Sequence, residues 1–242
     1  MRNTLQMSIV GCLVLFFLGC TREHPKADWA RSAVLEQINL RAYPNVKTFR
    51  ELEAQLPELK AHRVTVVDLM PIFPIGEFNR SGKRGNIYSV RDYYDVNNEF
   101  GTLTDLQSLV RAAHNHGIKI ILDFVAAYTA WDCTILMEHP DWYIHNSDDY
   151  IISPKAEWND VAAVNLDHHE LRKYLIASME YWVKTTDIDG YRCVDARMVP
   201  QDFWNITRTQ LELIKPIMFV SDSTVQSCFA FDTTISVYTR TN

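Results

Sequence analysis

The 242-residue sequence contains no glycine-rich phosphate-binding fingerprint, no low-complexity tract and no internal repeat, which leaves ordinary globular material and argues against a dinucleotide-binding sheet. Positive charge is not in surplus: 24 Lys and Arg face 30 Asp and Glu, for a net charge of -6 and a pI near 5.7. That balance leaves no electrostatic footprint for a nucleic acid. The one basic run, "NRSGKRG" at 79–85, is short and glycine-containing and reads as a solvated loop. No apolar run is long enough for a comfortable membrane span; the most apolar stretch, Ile9 to Leu18, lies next to the N-terminus. Cysteine is scarce as well, with five in the chain, and none of the spacings suits a metal site.

What is present begins with "MRNTLQMSIVGCLVLFFLGCTREHP", an early arginine, an apolar stretch and then Gly19-Cys20 followed by polar residues. This order predicts an export signal over 1–20. Its end, "FLGC", resembles a bacterial lipobox, which implies lipidation at Cys20 and a lipoprotein on the periplasmic side or surface of the cell envelope; plain secretion is the alternative. Loss of the leader would remove Cys12, and lipidation would occupy Cys20. Cys133, Cys193 and Cys228 then remain, an odd number that predicts buried or half-buried thiols and no disulfide framework.

After a linker at 21–32, helix and strand patterns alternate. Strands are predicted at 33–43, 64–72, 118–128, 189–196 and 216–222, with a sixth at 233–238. Helices are predicted at 48–63, 103–117, 170–185 and 200–215, the second stopped by Gly117 and the last opened by Pro200. Such alternation predicts a parallel sheet with helices packed outside it. Polar and aromatic residues gather after the carboxyl ends of successive strands, at Pro71 onward, Asp123 to Asp132, Arg192 to Arg197 and Asp222. That distribution fits an α/β barrel of the (β/α)8 type whose loops build one site. The barrel would run over 33–128 and 169–242, with a long insertion at 129–168 after the third strand. About six strands are counted by residue 238, so closure by eight strands is not expected within this sequence.

Several phrases carry a family resemblance over most of the chain, from about Ala33 to Tyr238. They are "LMPIFPIGEFNRSGKRGNIYSVRDYYDVNNEFGTLTDLQSLVRAAHNHGIKIILDFV", "HPDWY", "WNDVAAVNLDHHELRKYLIASMEYWV", "DIDGYRC" and "PQDFW". In order and spacing they resemble the catalytic barrel of the α-amylase family, glycoside hydrolase family 13. The resemblance implies a (β/α)8 fold, with the insertion in the place of the family's small B domain. It also implies retaining hydrolysis of α-glucans such as starch or malto-oligosaccharides. That chemistry needs a carboxylate nucleophile about 5 to 5.5 Å from a protonated carboxyl, so the two acids must sit in different environments.

Set against the family's G-F-R-x-D motif, Gly190, Tyr191 and Arg192 match, but the nucleophile slot is Val194 and the aspartate follows one place later as Asp195. Strand alternation predicts that Asp195 points toward the helices if Arg192 and Val194 point inward; a β-bulge would re-aim it. The acid position is Asp222, one methylene shorter than the family's glutamate. The resemblance therefore gives Asp222, Asp195 and Arg192 as the candidate catalytic residues, without a counterpart of the family's third aspartate. Ala127 and Tyr128 replace an asparagine-histidine pair, and Ala163 replaces an aspartate. Because alanine offers no side-chain oxygen for calcium, neither a metal nor a cofactor is expected. Tyr88, Asp92, Asp123 and Tyr128 stand at substrate-binding positions, although Tyr88 could equally pack a loop and Asp123 could bond the neighbouring backbone. Trp131, Trp142, Tyr143 and Trp158 suit the core of the insertion better than sugar platforms. His114 and His116, at a helix end, suit capping or surface positions better than a metal pair.

Two readings follow. One is an α-amylase-type hydrolase at the cell envelope, with Asp222 as acid and Asp195 recruited as nucleophile. The other is a relative without turnover, either a glucan-binding lipoprotein or a remnant. An apolar nucleophile slot favours impaired catalysis.

Overall fold

The computed structural model describes residues 27–222 and 231–234. The predicted export signal with Cys20, positions 21–26 of the linker, Cys228 and positions 235–238 of the predicted sixth strand lie outside the described residues.

Six strands form one parallel sheet: β1 (Leu35–Ile38), β2 (Val66–Leu69), β3 (Lys119–Val125), β6 (Gly190–Val194), β7 (Met218–Ser221) and β8 (Thr233–Thr234). Between β3 and β6 the chain adds an antiparallel pair, β4 (Tyr128–Ala130) with β5 (Val161–Ala163). The main sheet runs β1-β2-β3-β6-β7-β8, so every new parallel strand joins the same growing edge. A doubly wound sheet reverses direction at a switch point, whereas a barrel is wound in one direction. The architecture is therefore an α/β fold of the (β/α)8 kind with its ring incomplete among the described residues.

Four longer helices cover the outside: α1 (Phe49–Ala61), α2 (Leu103–Asn115), α4 (His169–Thr186) and α5 (Gln201–Glu212); the short α3 (Thr134–Glu138) belongs to the insertion. Both α1 and α2 start with reciprocal capping, Thr48 with Glu51 and Thr102 with Asp105, which satisfies amide groups that a helix start leaves bare. Helix α2 stops at Gly117, whose φ of 67° is a conformation glycine reaches without a Cβ penalty.

Strand alternation separates two apolar clusters. Val67, Leu69, Ile120, Leu122, Phe124, Tyr191, Cys193 and Phe219 face the helices and join the main core. Leu35, Val66, Ile121, Met218 and Val220 face the barrel interior, where Ala27 and Ala30 of the N-terminal 3-10 turn (Asp28–Ser32) pack against them. Gly190 sits where a Cβ would come within 2.1 Å of the Met218 carbonyl oxygen, so this inward position on β6 admits no larger residue without a shift.

The first five predicted strands are all shorter in the structure, and three of them end for a local reason. The first ends at Ile38 because Asn39 opens a turn, its carbonyl accepting from the N–H groups of Ala42 and Tyr43. The third ends at Val125, and Tyr128 starts a separate strand that pairs with Ala163. The fourth ends at Val194, because Asp195 is left-handed (φ 48°, ψ 40°) and a 3-10 turn, Ala196–Met198, follows.

Candidate functional site

The carboxyl ends of β3, β6 and β7, with the loop that carries Tyr88, bring most of the candidate residues together. Asp123 on β3 and Arg192 on β6 are register partners and share the inward face. Arg192 Nη1 donates to Asp123 Oδ2 at 2.6 Å, with both groups buried. Asp123 is thus an ion-pair partner and does not serve the adjacent backbone. Tyr88 stands beside this pair: its hydroxyl neighbours Arg192, and burial followed by the charge of Asp123 pushes its pKa up to about 12.

Val194 is the next inward residue of β6 and is buried, so the family's nucleophile slot is apolar in the structure as in the sequence. Asp195 departs from the strand-based expectation. Its left-handed backbone ends the alternation that would have sent its side chain to the helices. Its Oδ2 instead accepts the Tyr128 hydroxyl hydrogen bond at 2.7 Å. Burial, and then this bond to Asp195, raise the Tyr128 pKa well above the ordinary tyrosine range. No bulge in the ladder is involved, since the strand has already ended.

Asp222 directly follows β7 and turns toward the same junction. Its Oδ2 accepts the Asp195 N–H at 2.8 Å and its Oδ1 the Ala196 N–H at 3.4 Å. The Asp222 N–H donates to the Cys193 carbonyl. Asp222 therefore ties the turn after β6 to the end of β7, and both of its oxygens are engaged by amides of the segment that carries Asp195.

Asp92 is engaged by its own loop. Its Oδ1 accepts the Tyr94 N–H at 2.8 Å in a local turn, and its charge acts on Tyr94, Cys133 and Tyr174. Among the insertion's aromatic residues, Trp142 and Tyr143 are core. Trp158 meets the edge of Tyr128 at 5.4 Å and carries the Lys155 ammonium 3.9 Å from its ring centre. Ala127 and Ala163 are buried. His116 is a cap, its Nδ1 bonded to the Ala112 carbonyl, whereas His114 is a hydrogen-bond partner of Asp189, its Nε2 lying 2.6 Å from Oδ2.

Two further side chains of this region, Asp68 and Gln37, were not among the residues expected from the sequence. Asp68 on β2 is completely buried on the inward face, and Gln37 on β1 donates to its Oδ2 at 3.0 Å. Asp68 Oδ2 also lies 3.8 Å from Arg192 Nε. The interruption of an apolar strand, "VTVVDLMPI", by one aspartate was the available clue.

Comparison with known proteins agrees with this architecture. The family model described as the catalytic domain of α-amylase matches residues 48–162. An α-amylase from Lactobacillus plantarum superposes with a TM-score of 0.77 at 35% identity, over 80% of this chain and 46% of that one. The α-amylase of Geobacillus thermoleovorans, solved with acarbose, gives a TM-score of 0.64 at 26% identity, over 79% of this chain and 46% of that one. The α-amylase MalA of Haloarcula japonica is 27% identical over 193 residues, which cover 76% of this chain and 28% of that protein. The chain thus spans about half the length of these solved chains and a smaller share of MalA. With parallel strands wound in one direction, the polar cluster at their carboxyl ends and these matches, the chain belongs to the α-amylase family.

Proposed function

We propose that this protein recognises α-glucans of the starch or malto-oligosaccharide type through the carboxyl-end pocket of its barrel, with glycosidic hydrolysis impaired. Tyr88, Arg192, Asp123 and Tyr128 support the recognition half of this reading, because an aromatic face beside a few fixed polar groups is what a pocket for a hydroxyl-rich ring requires. Acarbose in the G. thermoleovorans α-amylase makes an oligosaccharide of this class the natural probe.

One observation carries the loss of hydrolysis. Val194 fills the nucleophile slot, and both oxygens of Asp222 accept amides of Asp195 and Ala196. Retention of configuration needs two carboxyls held independently on either side of the scissile bond. Here the shortened acid is bound to the backbone of the neighbouring aspartate. Displacements on the order of 1 Å cost about 100-fold in rate, so turnover is expected to fall at least that far below an intact site.

A second reading has its own support: the left-handed turn directs Asp195 to Tyr128, so Asp195 could act as a recruited nucleophile. Titration with acarbose or maltoheptaose, together with hydrolysis of an activated maltoside, separates the two. Saturable binding without product release supports the first, and hydrolysis abolished by Asp195→Asn supports the second. Placement at the bacterial cell envelope through a lipid on Cys20 belongs to the same proposal, and loss of membrane association on Cys20→Ala is its test.

A further inference from the structure

Inside the barrel, Asp68 and Asp123 form a carboxyl pair around one guanidinium. The two side chains are completely buried and lie within hydrogen-bonding reach of each other. Their known partners account for only half of their oxygens. Asp68 Oδ2 accepts from Gln37 and Asp123 Oδ2 accepts from Arg192, while no donor among the described residues reaches Asp68 Oδ1 or Asp123 Oδ1. Two buried acceptors without donors are costly, and two buried carboxylates facing one cation leave an uncompensated negative charge. A single proton between the two Oδ1 atoms removes both costs.

We propose that Asp68 and Asp123 share one proton across their Oδ1 atoms, and that Asp68 is a positioning residue which supplies Arg192 with the counter-charge that Val194 cannot. In the family motif the strand end carries an aspartate two residues after the arginine, and here that position is a valine. The carboxylate is found instead on β2. The pair then holds a charge of minus one, Arg192 cancels it, and the guanidinium stays fixed on the pocket floor.

Among the described residues, Arg192 is the cation that pairs with Asp68 and Asp123. Strand β1 presents Gln37, β7 presents Met218 and Val220, and the loop presents Tyr88. Lys119, on β3, is engaged with Asp189, and Asp195 and Asp222 lie above at the strand ends. Burial raises the Asp68 pKa to about 6 against the opposing pull of Arg192. Burial, followed by the charge of Asp68, raises that of Asp123 well above the carboxylate range. Near neutral pH the folded pair therefore keeps one proton that the unfolded chain has lost.

The sign of the consequence is fixed by linkage. A folded state that holds one more proton than the unfolded state loses stability as pH rises, by about tenfold in the folding constant per pH unit. Urea unfolding of the full chain at about pH 7 and pH 8 reads this directly. The wild type is expected to show the tenfold loss relative to Asp68→Asn, because an asparagine amide can donate to Asp123 Oδ1 without a shared proton. Asp123→Asn should flatten the dependence in the same way. Equal pH slopes in wild type and both variants, as a purely structural role or a buried water bridge would give, overturn the proposal. Should a variant fail to fold, infrared spectroscopy of the wild type at about pH 8 decides: the carbonyl stretch of an un-ionised carboxylic acid is expected, and its absence overturns the assignment. These measurements read folding and protonation, so failure to bind glucan would count against the proposed function and leave this result standing.

Discussion

At φ 48° and ψ 40°, Asp195 occupies the left-handed region, which aspartate tolerates and β-branched residues do not. The turn and the bond to Tyr128 support each other, since the first aims the carboxylate and the second holds it. Replacing Asp195 by alanine removes the acceptor of a largely buried hydroxyl and is expected to cost about 1–3 kcal/mol of stability, measured by urea unfolding. Asparagine keeps both the backbone preference and an acceptor, so Asp195→Asn should cost well under half of that. The same geometry shapes any attempt to rebuild the nucleophile. Val194→Asp combined with Asp195→Val would force a valine into the left-handed region, whereas Val194→Asp with Asp195→Gly respects it. The second double variant is expected to unfold at higher urea than the first.

The elements are joined by a buried polar knot at the opposite end of the barrel. Asp189, immediately before β6, accepts from Lys119 on β3, from Lys215 after α5 and from the Ile120 amide, and it pairs with His114 on α2. Burial alone would raise its pKa; the His114 bond and the charges of Lys215, His114 and Lys119 outweigh burial and lower it. An aspartate with a depressed folded pKa adds stability that is present above its unfolded value, about pH 4, and disappears as pH falls through the folded value. Acid titration of unfolding should therefore show a loss below about pH 4 that Asp189→Asn lacks. Asp189→Ala, which takes the shared carboxylate from the Lys119 and Lys215 ammonium groups, is expected to cost about 3 kcal/mol near neutral pH. This knot and the Asp68 pair give opposite pH slopes in separate windows, so the two can be read independently.

At this scale the sequence was a good guide to elements. The helices predicted at 48–63 and 103–117, the second with its glycine stop, appear as α1 and α2, and the strand predicted at 64–72 contains β2. Strand direction beyond Val194 was not legible, because alternation describes a residue only while the strand lasts and nothing local marks Asp195 as left-handed. The local turn at Asp92, whose side chain accepts the Tyr94 amide, was not legible either. Asp68 was overlooked because its partners, Gln37 and Arg192, come from strands distant in sequence, and only the sheet register brings them together.

For the whole molecule, one-directional winding places β3, β6 and β7 side by side and so gathers Tyr88, Asp123, Tyr128, Arg192, Asp195 and Asp222 at one end. The helix-facing core and the smaller interior cluster are both well formed among the described residues, which supports a folded scaffold around an altered set of acids. Under the proposed function family membership and chemistry separate: the residues at the carboxyl end recognise a glucan, while Val194 and the amide-bound Asp222 leave hydrolysis impaired. Calorimetric titration of the full chain with maltoheptaose, with reducing ends assayed in the same sample, tests this separation most directly. Saturable binding without new reducing ends is the expected result. Steady release of reducing ends, lost in Asp195→Asn, would contradict it.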